Sequence, residues 1–121
     1  MRVLADCLVA IVALLHVWFL TLEMVFWTKP LGLKTFGNTQ AKADDSAVLA
    51  ANQGLYNGFL AAGLIWGLVY PVPGVALEIK TFFLLCVILA GLYGAWSVSR
   101  KILFVQAVPA LVALALLWIA R

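Results

Sequence analysis

The chain of 121 residues is 66% hydrophobic and only 11% charged, where a water-soluble domain is near half apolar and a quarter charged. That balance excludes an ordinary soluble fold, and it excludes disorder, which needs low hydrophobicity and high charge. The net charge of +3 comes from basic residues lying almost entirely outside the apolar runs. It offers no face to nucleic acid and reads instead as a set of membrane-flanking anchors.

In chain order, four segments meet the length of ~20 apolar residues needed to carry a helix through a ~30 Å hydrocarbon core. The first runs from about Val3 to Trp27; it is too long for the apolar region of a signal peptide, and no small-x-small cleavage site follows it. Lys29 and Pro30 end it. A long connection from Thr28 to about Ala47 is expected as a surface loop, with a flap over the end of the protein as the alternative. The second span runs from Val48 to Tyr70, with Asp44, Asp45 and Ser46 as caps and favourable charge at its start. Pro71, Pro73 and Gly74 form the next turn, the third span covers Thr81 to Ser97, and Ser99, Arg100 and Lys101 make a short turn into the fourth, Ile102 to Ala120. Pro109 is expected to kink this last helix and free the carbonyl of Val105.

The runs are continuously apolar rather than alternating, which predicts helices and not a barrel. The short second and third turns predict an up-down-up-down bundle. The expected fold is therefore all-α, a single domain over 1–121 built as a four-transmembrane-helix bundle. The first and third loops carry Lys29, Lys34, Lys42, Arg100 and Lys101, and the other side carries Arg2, Lys80 and Arg121. The positive-inside rule then places both termini outside. Cys7 and Cys86 lie in apolar segments at similar expected depth, so a disulfide is geometrically conceivable, with buried cysteine acting as a small hydrophobe the favoured reading; without a CxxC pair there is no thiol-disulfide motif.

Glycines in the second span, Gly54 with Gly58 and Gly63 with Gly67, let neighbouring helices approach closely on two faces. Gly91 and Gly94 imply a further close contact in the third. A homodimer interface is the alternative use of such stripes.

Polar side chains are gathered in one half of this expected bundle. Ionisable groups inside a span cost about 2.5–3.5 kcal/mol at a helix centre, yet the first span holds His16 and Glu23. Seven residues apart, they share a face, with Trp27 on the same stripe one turn later, and are separated by ~10 Å along the axis. The second span opens with Asn52, Gln53, Tyr56 and Asn57 on one broad arc, the opposite face being left to Gly54 and Gly58. Tyr93 and Ser97 come late in the third span and Gln106 early in the fourth. In an antiparallel bundle all of these fall in one layer, and the other half is expected to be almost purely apolar, with Asp6 solvated near its interface. Carboxamides also bond helices together in lipid, at ~0.6–2 kcal/mol per contact, but that role accounts less well for a carboxylate, an imidazole and a tyrosine in the same layer.

The segments HVWFLTLEMVFW (His16 to Trp27), NQGLYNGFLAAG (Asn52 to Gly63), GLYGA (Gly91 to Ala95) and QAVPA (Gln106 to Ala110) resemble the signature segments of a family of small bacterial membrane proteins, domain of unknown function 1304. The resemblance spans nearly the whole chain. It implies four spans, about this length and a place in the bacterial inner membrane, and it implies no substrate.

Three functions compete. In the first, the polar layer binds a small lipid-like or isoprenoid molecule: Glu23 and His16 serve as acid and base, and Asn52, Gln53, Tyr56, Asn57, Tyr93, Gln106 and Trp27 line the site. The second is a small proton-coupled exporter acting as a dimer, using Glu23 in the first span. The third is a structural or assembly subunit. Whether the protein is an enzyme stays open at this stage. One histidine and a distant carboxylate are too few ligands for a metal, and no nucleotide motif or other cofactor signature is found. The expected partners are the bilayer, an amphipathic ligand and a second copy of the chain, with no nucleic acid.

Overall fold

A computed structural model describes every residue from Met1 to Arg121. The protein is all-α. Helix α1 spans Arg2–Met24, α2 Pro30–Phe36, α3 Gln40–Val69, α4 Pro73–Ser97 and α5 Val108–Ile119, with a π-helical turn over Leu103–Ala107 directly before α5. Two of these, Arg2–Met24 and Pro73–Ser97, are long and apolar enough to cross a membrane, and Leu103–Ile119 forms a shorter apolar helix. Helix α3 is the longest, but Asn52, Gln53 and Asn57 fall among its apolar residues and lower its mean hydropathy.

The backbone falls into two compact units, one of Met1–Ala13 with Leu60–Arg121 and one of Leu14–Phe59. In the larger unit, Val9, Leu64, Leu84, Val87 and Ala113 are fully buried at the centre of one apolar core, to which α1, α3, α4 and α5 all contribute. Close approach there is set by small residues. A Cβ on Gly63 would run into the ring of Phe83, and one on Gly67 would lie 3.1 Å from the backbone nitrogen of Lys80. These pairs make α3 and α4 antiparallel. A Cβ on Gly91 would meet the Ala107 nitrogen at 2.7 Å, and one on Gly94 would meet Ile102, so α4 is antiparallel to the π turn and α5.

The π turn refines the expected kink. Proline 109 cannot donate to Val105, and the chain responds one turn earlier: the Val108 amide bonds to Leu103, five residues back. The widened turn is the part of the last helix that touches Gly91, so the distortion and the closest contact with α4 coincide.

In the smaller unit the long connection is not a plain loop. Pro30 at the first helical position starts α2, and Gly37, at φ 67°, stops it in the left-handed conformation, with the Asn38 amide bonded to the Leu33 carbonyl at 3.1 Å. Gly32 has no room for a Cβ beside the Phe26 carbonyl, which seats α2 on the turn after α1. Helix α3 then begins at Gln40, well before the expected start at Val48. Its cap is Thr39, whose Oγ1 accepts the Lys42 amide at 3.2 Å. Asp44, Asp45 and Ser46 therefore lie inside the helix and do not cap it.

Candidate functional site

Within the smaller unit, the C-terminal half of α1 and the N-terminal half of α3 run antiparallel across a glycine seam. A Cβ on Gly58 would come within 2.6 Å of the Leu20 side chain. One on Gly54 would meet Met24 at 2.7 Å, Glu23 Cβ at 3.1 Å and the Leu20 carbonyl at 3.2 Å. The absent side chains bring the two backbones together beside Glu23, which is only 4% exposed.

A buried carboxylate needs donors, and α3 supplies them. The Asn57 carboxamide nitrogen donates to Glu23 Oε1, and the Gln53 side chain is near enough to the same carboxylate to act as a second, weaker donor. Asn57 lies roughly 60° around the helix from Gly54, at 100° per residue, so it flanks the seam. The expectation that the carboxamides and the glycines occupy opposite faces is corrected in this respect: Gln53 and Asn57 lie together on one flank of the glycine face and share its neighbour.

His16 is fully buried two turns earlier on α1 and packs edge-on against Phe19, with ring centroids 5.2 Å apart. Trp27 lies past the end of α1, in the turn before α2, so the stripe from His16 to Glu23 does not continue to it on one helix. Its indole nitrogen donates to Ser46 Oγ at 3.1 Å, and its ring packs on Phe36, making it a clasp between the α1–α2 turn, α2 and α3. Asn52 turns back on its own helix, donating to the Val48 carbonyl at 2.8 Å. Tyr56 is exposed against Phe59.

The remaining predicted site residues belong to the larger unit. Tyr93 is exposed, in ring contact with Trp96, and its backbone carbonyl accepts the Ser97 hydroxyl at 2.7 Å. Gln106 lies half-buried within the π turn. Within the smaller unit, Glu23, Gln53 and Asn57 converge.

The larger unit also holds a polar cluster that sequence reasoning missed. Lys80, read as a flanking anchor, is 8% exposed and forms a salt bridge with Asp6, Nζ to Oδ1 2.7 Å. The segments that were expected to be apolar thus contain a charged pair, and Asp6 is bonded to protein as well as half exposed. No hydropathy window could reveal a partner 74 residues away; the signal available was that two opposite charges, Asp6 and Lys80, each sat beside an apolar run. Cys7 and Cys86 are both free thiols.

The chain belongs to the family described as "Protein of unknown function (DUF1304)", whose model matches residues 10–118, as the signature segments implied. It is similar to the "Uncharacterized protein YpaA" of Lactococcus lactis subsp. lactis (strain IL1403), with 31% identity over 116 residues, 94% of this chain and 96% of the relative. No solved structure matches it.

Proposed function

We propose that the protein is a four-span protein of the bacterial inner membrane, in which Glu23, Asn57 and Gln53 receive the polar head of a small lipid-like or isoprenoid molecule, with proton transfer by Glu23 as the chemistry available to it. Membrane residence is supported by the two long apolar helices, whose most apolar windows are only 28% and 33% buried; the core helix of a soluble protein would be mostly buried. Large apolar side chains such as Leu14, Leu85, Leu89 and Ile119 face outward, more than a water-exposed surface of this size carries. The other two spans in this reading are α3, interrupted by its carboxamides, and the shorter apolar helix Leu103–Ile119.

The observation that carries the ligand reading is Glu23. Neutral carboxamides suffice to bond two helices in lipid, whereas an ionisable group in a span is costly and marks function by default. Glu23 keeps its cost low through Asn57 and Gln53, and a carboxyl so held can both accept a hydroxyl's hydrogen bond and exchange a proton with it. His16 lies ~10 Å further along α1 and is the second proton carrier in this reading. The apolar residues of the same helices accommodate the tail.

A photoreactive isoprenoid alcohol, carrying a diazirine near its hydroxyl and added to vesicles containing the protein, tests this. Adducts are expected on the peptides around Glu23 and Asn57 and are expected to fall sharply in Glu23→Gln. Labelling spread evenly over outward residues such as Leu85 and Leu89, unchanged by the substitution, would count against a site. The exporter reading, favoured by the placement of a carboxylate in the first helix, would gain if the protein were a dimer that carried no such ligand.

A further inference from the structure

At one end of the larger unit a cleft of about 400 Å³ opens where α1 and α4 begin and where α3 and α5 end. Its charged lining consists of Arg2, Lys80, Arg121 and Asp6, three cations against one carboxylate. Each cation is held in place. Lys80 bonds Asp6 at 2.7 Å with its side chain only 10% exposed. Arg2 donates from Nε to the Ala120 carbonyl at 3.1 Å. The Arg121 guanidinium stands 4.5 Å over the Trp118 ring, and that indole is itself fixed by donating to Thr81 Oγ1 at 2.9 Å. Gly67 makes room for the lysine, because a Cβ there would lie 2.5 Å from Lys80 Cγ.

These contacts leave donors unspent. An ammonium has three N–H groups and a guanidinium five, so one bond to Asp6 and one to Ala120 leave the others available to a ligand. Asp6 offsets a single positive charge, and the cleft keeps an excess of two. The rest of its wall is apolar, including Leu68, Leu77 and Leu117. A cleft of this volume is in the range of small-molecule sites, about 300–1,000 Å³. Fixed guanidinium groups match the oxygens of a phosphate in pairs, and basic pockets between membrane helices suit anionic head groups.

We propose that this cleft binds the phosphate-bearing head group of an anionic phospholipid. Arg2 and Arg121 grip the phosphate, Lys80 bridges it to Asp6, and the apolar wall takes the first carbons of the acyl region. Free inorganic phosphate shares the head-group chemistry but has no apolar body to set against Leu68, Leu77 and Leu117.

The test uses the full chain in mild detergent, with phosphatidylglycerol, phosphatidylcholine of the same acyl chains and inorganic phosphate as probes, and native mass spectrometry as readout. Phosphatidylglycerol is expected to be retained about tenfold better than phosphatidylcholine. The double variant Arg2→Gln, Arg121→Gln is expected to bind it roughly 25-fold more weakly, about fivefold for each cation removed. Arg2→Lys with Arg121→Lys keeps the charge but loses the paired guanidinium contacts; it is expected to bind between the wild type and the Gln variant, which separates loss of binding from loss of fold. Equal retention of the two lipids by the wild type would overturn the proposal. So would unchanged phosphatidylglycerol binding by the folded Gln variant, or displacement of the lipid by inorganic phosphate at equal concentration.

Discussion

Replacing Gly91 with alanine adds one methyl group where α4 meets the π turn. The added Cβ would lie 2.7 Å from the Ala107 nitrogen, 2.9 Å from its Cβ and 3.0 Å from its Cα. None of these atoms is the end of a flexible side chain, so the helices must separate. Overpacking of this kind costs about 1–3 kcal/mol, while alanine in a helix interior regains up to ~1 kcal/mol over glycine. The net expectation is destabilisation by about 1–2 kcal/mol. Gly74, in the first turn of α4, has nothing within 4 Å of its own added Cβ, so Gly74→Ala keeps the backbone gain alone and is expected to stabilise by about 0.5 kcal/mol. Reversible unfolding in mixed micelles with increasing sodium dodecyl sulfate, followed by circular dichroism, measures both. A Gly91→Ala protein as stable as wild type, or a Gly74→Ala protein equally destabilised, would refute the packing argument.

Three further outcomes follow from the contacts. Asn57→Leu removes a donor to a buried carboxylate and is expected to cost about 1–3 kcal/mol in the same assay; an unchanged midpoint would mean that Asn57 does not hold Glu23. Asp6→Asn takes the partner from a largely buried lysine and is expected to destabilise by a similar amount, with Lys80→Met added to it restoring most of the loss. If the double variant were no better than the single one, the pair would not be coupled. Alkaline phosphatase fused after Arg121 is expected to be active if, as the positive-inside rule proposes, the C-terminus lies outside, whereas a fluorescent cytoplasmic fusion at that position would reverse the orientation.

Much of the helical layout was legible because its signals are local. Lys29 and Pro30, Pro71 to Gly74, and Ser99 to Lys101 mark breaks close to where the helices stop or start, and the glycine pairs announced the close contacts. The seven-residue helix α2 was not found, although Pro30 and Gly37 are start and stop signals, because a polar connection hides so short an element. The start of α3 was placed too late because Asp44 and Ser46 resemble caps as well as Thr39 does; a cap is decided by backbone geometry, which composition does not carry. The candidate site was legible in part. Helical periodicity put Glu23, Asn57 and Gln53 on defined arcs, but it could not tell which arc a neighbour covers, so Asn52 and Tyr56 were drawn in with them although they point elsewhere. The Asp6–Lys80 pair joins segments far apart in sequence, and each residue alone has the look of an interfacial anchor. Pro109 correctly marked a distortion, while its form, a π turn lying against Gly91, is not written in the proline alone.

The central claim is that the Glu23 carboxyl group, clasped by α3, holds a small amphipathic molecule. Native mass spectrometry of the protein released gently from membranes, wild type beside Glu23→Gln, tests it most directly. The expected result is a discrete added mass of lipid or isoprenoid size on the wild type that is lost from the folded variant. Phospholipid held at the Arg2–Arg121 cleft is common to both proteins, so two spectra with no added mass that distinguishes wild type from variant would contradict the claim.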